Sequence, residues 1–82
     1  MTKTEQAVAD FISQEILRSV APTAISPDRL LLEESVLDSL GLQQLVLFLE
    51  SEFGIQLGDE HFLPENFESI RSIARLMDEL RR

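Results

Sequence analysis

The side chains of this 82-residue chain that could do chemistry are few. There is no cysteine, so the chain can form no disulfide, no thiolate metal site and no thiol nucleophile. The one histidine, His61, is expected to be exposed or half-buried and without a catalytic role, because the sequence supplies no partners for it. What remains is the pair Asp38-Ser39, set directly before an apolar run. Short oxygen-bearing side chains in this place are typical of a helix N-terminus, and capping alone would explain the pair.

The helix that positions this pair is predicted to end at Phe53, about four turns after Ser39 at about 3.6 residues per turn. Gly54 follows, as expected for the residue just past a helix end. Projected at about 100° per residue, one apolar arc faces a core. Its members are Leu42, Leu45, Val46, Leu49 and Phe53. Leu40 and Leu47 fall nearly opposite, on the side of Ser39. The polar positions around them are Gln43, Gln44, Glu50 and Ser51.

The two exposed leucines have two interpretations. Folded proteins show much apolar surface, so they could be incidental. A small apolar patch can also be a docking site. Periodicity alone leaves both open.

Before this helix, the sequence predicts one helix and a long packed loop. Thr2 and Glu5 fit a capping box. The apolar face of the first helix comprises Val8, Phe11, Ile12, Ile16 and Val20. The helix should end near Val20, because Pro22 cannot continue it. The loop from Ala21 to Leu37 should pack its apolar residues inward, with a possible helical turn from Asp28 to Leu32. Those apolar residues are Ile25, Leu30, Leu31, Leu32, Val36 and Leu37.

After the central helix, Gly54 to Gly58 is predicted to be extended, with Ile55 and Leu57 pointing inward. A short helix is predicted from Asp59 to Leu63, limited by Pro64. Ser69 should cap a last helix that carries two cations at its C-terminal end, Arg81 and Arg82. Its core positions are Ile70, Ile73, Ala74, Met77 and Leu80.

Together these elements predict an all-α fold, a small four-helix bundle with three longer helices, one short helix and a long first loop. We expect one free-standing domain spanning residues 1–82. The polar start of the chain has no signal-peptide pattern, and no apolar run is long enough to span a bilayer. A cytoplasmic protein is therefore expected.

The net charge of −8 is concentrated in the middle of the chain. From Leu30 to Ile70 there are nine Asp or Glu residues and no Lys or Arg. This acidic interval disfavours nucleic acids and anionic membranes as partners. It favours encounter with basic protein surfaces, although an acidic surface can also serve solubility alone.

Leu37-Asp38-Ser39-Leu40, at the start of a second helix after a long loop, resembles the attachment site of acyl and peptidyl carrier proteins. The resemblance extends through Glu52-Phe53-Gly54-Ile55 and Ser69-Ile70 to nearly the whole chain. It implies that a phosphopantetheinyl transferase attaches 4′-phosphopantetheine from coenzyme A to Ser39. Asp38 would help the transferase and its Mg²⁺, and the chain itself would not be an enzyme.

The resemblance also implies docking positions for partner enzymes at Leu40, Gln43, Gln44, Leu47 and Glu50. Gly41, Gln44 and Ser51 stand where carriers of fatty-acid synthesis often have acids, which favours a specialised partner. The expected partners are an acyl- or aminoacyl-adenylate ligase, a synthase or an acyltransferase, acting on a monomer. A discrete acyl carrier for a fatty-acid, polyketide or specialised pathway is the leading interpretation. The alternatives are an aminoacyl or peptidyl carrier and a helical adaptor that is not a carrier.

Overall fold

The computed structural model describes residues 2–17 and 25–81, and within these ranges all regular structure is helical. The elements in chain order are α1 (Lys3–Phe11), a π-helical continuation (Ile12–Ile16), α2 (Ser39–Phe53), a 3-10 turn (Asp59–His61), α3 (Pro64–Phe67) and α4 (Ile70–Leu80). This confirms the all-α prediction of three longer helices and one short one. The predicted helix end near Val20, the break at Pro22 and Arg82 lie outside the described residues.

Helix α1 begins with the predicted capping box. The Thr2 backbone N–H donates to Glu5 Oε1 at 2.8 Å, and the Glu5 N–H donates to Thr2 Oγ1 at 3.1 Å. Val8 and Ile12 are fully buried on the predicted face. The Leu17 N–H then donates to the Ile12 carbonyl at 2.8 Å, five residues back. This wider π-type turn ends α1 beside the start of α2.

The first loop is packed as predicted, but its turn lies elsewhere. Ile25, Leu31, Val36 and Leu37 are buried, whereas Leu30 is exposed. The prediction of a helical turn from Asp28 to Leu32 is wrong, because the turn comes at residues 31–35. The Leu31 N–H donates to the Glu68 carbonyl at 2.7 Å, which ties the loop to the chain just before α4 and draws Leu31 into the core.

The short third helix also differs from the prediction. Asp59–His61 is only a 3-10 turn, and α3 begins at Pro64 where the sequence pattern placed an end. Proline suits the first helical position, because that position has no intrahelical partner for an N–H and proline's φ is already helical. Ile55 and Leu57 pack against the core, as predicted.

Helix α4 closes the bundle. Ser69 Oγ accepts from the Ser72 N–H at 3.2 Å, which confirms the predicted cap. Nearer the C-terminal end of α4, Thr4 Oγ1 of α1 donates to Asp78 Oδ1 at 3.0 Å. The predicted face of α4 is buried at Ile70, Ile73, Ala74 and Met77, and Leu80 packs against the core at its edge.

Candidate functional site

Asp38 and Ser39 occupy different positions at the start of α2. Asp38 is the N-cap, with extended backbone angles, and its Oδ1 accepts from the Gly41 N–H at 2.7 Å. Its carbonyl accepts from the Leu42 N–H at 2.8 Å, the first bond of the helix. Ser39 is the first helical residue. Because Asp38 supplies the cap, the Ser39 hydroxyl is not needed for it.

The Ser39 side chain is exposed, and within residues 2–17 and 25–81 its hydroxyl makes no hydrogen bond. The expected exposed hydroxyl at the start of the helix is therefore present. Beside it, a groove of about 330 Å³ separates α2 from the π-helical end of α1. Asp38, Leu40 and Gly41 line its α2 side, and Ile16 lines the other.

Gly41 does not lie on the exposed face, which corrects the grouping with Gln44 and Ser51. It is buried at the base of α2. A Cβ atom on Gly41 would lie 3.1 Å from Asp38 Oδ1 and 3.6 Å from Ile16 Cγ2. The glycine at this position therefore belongs to the interior of the site and does not bear on the surface charge of α2. The sequence signal for this close packing was a glycine in the first turn of a helix, where glycine is otherwise unfavourable.

The outer face of α2 matches the helical projection. Leu40 and Leu47 are 64% and 62% exposed, and Gln43 and Gln44 are exposed beside them. Glu50 differs from these because it is half-buried, and its Oε2 accepts from the Leu57 N–H at 3.0 Å. Glu50 therefore holds the segment that follows α2.

The inner face of α2 is fixed by core packing and by aromatic rings. Leu45 and Leu49 are fully buried, while Leu42, Val46 and Phe53 pack against the core, so the predicted arc is confirmed. The Phe11 and Phe48 rings stack with centroids 4.3 Å apart, and Phe48 meets Phe53 edge to face at 6.5 Å. The Arg81 guanidinium lies 5.3 Å from the Phe53 ring centroid. These contacts fix the rotation of α2 about its own axis relative to α1 and to the end of α4.

His61 is half-buried, and its Nδ1 accepts from the Gly58 N–H at 3.0 Å. Through this bond the His61 ring caps the start of the 3-10 turn, which is a structural role. Among the residues that the structure describes, no three His, Cys, Asp or Glu side chains come together in a way that could hold a metal ion. The described helices are also all too short or too polar to cross a membrane.

A small helical bundle with an exposed serine hydroxyl at the start of one helix, and with exposed leucines on the same helix, is the arrangement that the resemblance to carrier proteins predicts. No family model matches the chain. An acyl carrier protein of Campylobacter hominis is 32% identical over 75 residues, which cover 92% of this chain and 90% of the relative. The chain belongs to the acyl carrier protein family. It is accordingly a carrier and not an enzyme, as the resemblance implied.

Proposed function

We propose that this chain carries acyl groups as thioesters on a 4′-phosphopantetheine arm attached to Ser39 Oγ. The observation that supports this most directly is the exposed Ser39 hydroxyl, which no described residue engages. The site fits the group, because the hydroxyl stands at the open end of α2 and the adjacent groove leaves room beside it. The arm supplies the terminal thiol that a chain without cysteine lacks.

Attachment needs a phosphopantetheinyl transferase. The Ser39 oxygen loses its proton to a base on the transferase and bonds to the phosphorus of the pantetheine arm of coenzyme A. The bond from that phosphorus to the adenosine bisphosphate breaks, and the leaving group takes the electron pair. Asp38 contributes a carboxylate next to the reacting oxygen. Its Oδ1 caps α2, and Oδ2 would be the oxygen available to the Mg²⁺ of the transferase, since carboxylate oxygens are the ligands this ion prefers.

Partner enzymes would dock on the outer face of α2. Leu40 and Leu47 supply apolar contact area, and Gln43 and Gln44 supply hydrogen-bonding groups around it. Glu50 contributes charge at the edge, although one of its oxygens already accepts from Leu57. The chain would position its cargo for these enzymes and raise its effective concentration.

The structure also bears on the size of the cargo. An apolar pocket of about 140 Å³ opens between the first loop, α2 and α3. Its lining is Leu32, Leu42, Phe62, Leu63, Pro64 and Phe67. Sites that bury drug-sized ligands typically measure about 300–1,000 Å³. A cargo held in this pocket without movement of the helices would therefore have to be a short acyl chain.

An acyl cargo is favoured over an aminoacyl one because the relative is named an acyl carrier protein and because the pocket lining is apolar. The enzymes that load and use the cargo would be an acyl-adenylate ligase, a synthase or an acyltransferase. Loading by an aminoacyl-adenylate ligase instead would identify the peptidyl alternative.

The test is intact mass spectrometry after incubation with coenzyme A, Mg²⁺ and a broad-specificity transferase. We expect the mass to rise by one phosphopantetheinyl group, and Ser39→Ala to stay unmodified. Ser39 is exposed and makes no hydrogen bond to a described residue, so this variant should change the free energy of unfolding by no more than about 0.5 kcal/mol. An unchanged wild-type mass, beside a control carrier that is fully converted, would reject the proposal in favour of the adaptor alternative.

A further inference from the structure

We infer that a second open pocket between α1 and α2 binds an arginine-bearing segment of a partner protein, on a surface separate from Ser39. This pocket, called here the α1–α2 pocket, measures about 450 Å³. Two aromatic rings and three carboxylates line it: those of Phe11 and Phe48, and those of Asp10, Glu15 and Glu52. The combination of apolar rings with unneutralised acids defines the chemistry of the occupant.

The two rings give the α1–α2 pocket an apolar wall. Phe11 and Phe48 stack with their centroids 4.3 Å apart and an angle of 17° between the ring planes, and both side chains are only half-buried. The stack already holds each ring in one orientation, so a partner that packs against them loses little side-chain entropy on binding. The wall is therefore a preorganised contact surface.

The carboxylates around this wall are not neutralised by the chain itself. Asp10, Glu15 and Glu52 are exposed, and none of the described residues that line the pocket is basic. Asp10 accepts from the Gln6 side-chain amide at 2.8 Å. In the part of the chain that the structure describes, the carboxylates of Glu15 and Glu52 make neither a hydrogen bond nor an ion pair. A negative rim of this kind attracts a cation.

Arginine is the cation that suits both parts of the pocket. Its planar, weakly hydrated guanidinium packs against aromatic rings, and its N–H groups donate to carboxylates. The chain uses the same chemistry nearby, because Phe48 meets Phe53 edge to face and the Arg81 guanidinium lies 5.3 Å from the Phe53 ring centroid. A metal ion suits the pocket less well, because no described group of three acidic, His or Cys side chains could hold one.

The α1–α2 pocket lies away from the serine hydroxyl and from the outer leucines. Phe48 follows Ser39 by nine residues, about 14 Å along the helix axis. Around the axis it is about 100° from Leu47, and it faces Phe11 of α1. Glu15 is the one described residue that lines both this pocket and the groove beside Ser39. A partner held in the pocket therefore leaves the Ser39 hydroxyl exposed to other enzymes.

The experiment selects binders from random peptides displayed on phage, with the unmodified chain as the target. Peptide binding does not require modification of Ser39, so its outcome is independent of the proposed function. We expect the enriched peptides to share an arginine flanked by apolar residues. Their affinity, measured by fluorescence anisotropy, should fall about threefold to thirtyfold for Glu15→Gln/Glu52→Gln, because two ion pairs are lost.

The matched control is Glu33→Gln/Glu65→Gln, which removes the same charge from exposed positions outside the pocket. It should change the affinity by less than about twofold at physiological salt, which screens distant charges. A second comparison replaces the peptide arginine with citrulline, which has nearly the same shape and no charge. Citrulline should weaken binding to wild type, and it should weaken binding to Glu15→Gln/Glu52→Gln much less, because the partners of the guanidinium are already gone.

Several results would overturn the inference. They are a failure to enrich any peptide, enriched peptides without arginine, and equal losses of affinity in the pocket variant and its control. Self-association in sedimentation experiments that only the pocket variant abolishes would assign the pocket to a second copy of this chain instead. Saturating peptide should also leave the rate of Ser39 modification by the transferase within about twofold, and slower modification would show that the two surfaces are not separate.

Discussion

Leu47 and Leu49 are the same residue type two positions apart in α2, yet 62% of Leu47 is exposed and Leu49 is fully buried. The proposal that α2 docks partner enzymes on one face and packs on the other predicts opposite consequences for the two leucines. Truncation to alanine tests this directly. Leucine and alanine are both good helix formers, so the helix itself changes little.

The magnitudes differ enough to measure. Leu49→Ala should cost about 2–5 kcal/mol, because it removes buried methyl groups and leaves a cavity in the core. At about 4–8 °C per kcal/mol for a domain of this size, the melting temperature should fall by about 10 °C or more. Leu47→Ala should cost about 0.5 kcal/mol or less, since its side chain is already in solvent.

Thermal unfolding followed by circular dichroism gives both values. Leu45→Ala should behave like Leu49→Ala, because Leu45 is equally buried. A loss for Leu47→Ala as large as for Leu49→Ala would refute the assignment of the two faces of α2, and the docking surface with it.

The same face can then be tested for function. Leu47→Glu should slow loading by a partner ligase or acyltransferase while the bundle stays folded. Ser51→Glu is the matched control, because it adds the same charge at an exposed position of α2 and keeps the leucine. If both variants slow loading equally, charge and not the lost leucine is responsible.

Two further predictions concern charge. Hydrogen bonds from Thr2 hold the pKa of Glu5 below its ordinary value of 4.5, so the contribution of its carboxylate to stability is present above that pH and is lost as the pH falls through the lowered pKa. The difference in melting temperature between wild type and Glu5→Gln should therefore shrink on acidification from pH 7 to about pH 3, and a constant difference would contradict the assignment. Separately, the association rate with the transferase should fall as salt screens the acidic interval from Leu30 to Ile70. A rate independent of salt, in stopped-flow measurements, would mean that this interval only faces solvent.

The central helix could be predicted from sequence because its signals are local. The cap at Asp38, the periodic leucines and the glycine at position 54 each specify the same helix independently. The short third helix could not, because its start at Pro64 depends on how the preceding turn is closed. Proline can end one helix or begin another, and here the 3-10 turn has already ended at Phe62, whose backbone angles are not helical, before α3 begins at Pro64.

The contacts of Gly41 and Glu50 also could not be predicted from the sequence. A helical projection gives the direction of a side chain but not what lies there. Gly41 projects toward the edge of the core arc, where only the structure shows Ile16 and the Asp38 carboxylate. Glu50 projects toward the other edge of the arc, where the chain turns back after Gly54 and brings the Leu57 N–H to it. Both contacts depend on segments that lie outside α2 or fold back on it.

The order of the two polar residues at the start of α2 has a chemical consequence. Aspartate and serine are comparable N-caps, so residue type alone does not decide which of them is used in that way. The backbone decides: Asp38 has extended angles and Ser39 is the first helical residue, so the aspartate accepts the Gly41 N–H. If the serine were one position earlier, its oxygen would be occupied in capping the helix. Because the cap is an aspartate, the Ser39 hydroxyl one residue later is free to form a bond, and the capping carboxylate belongs to the residue directly before it.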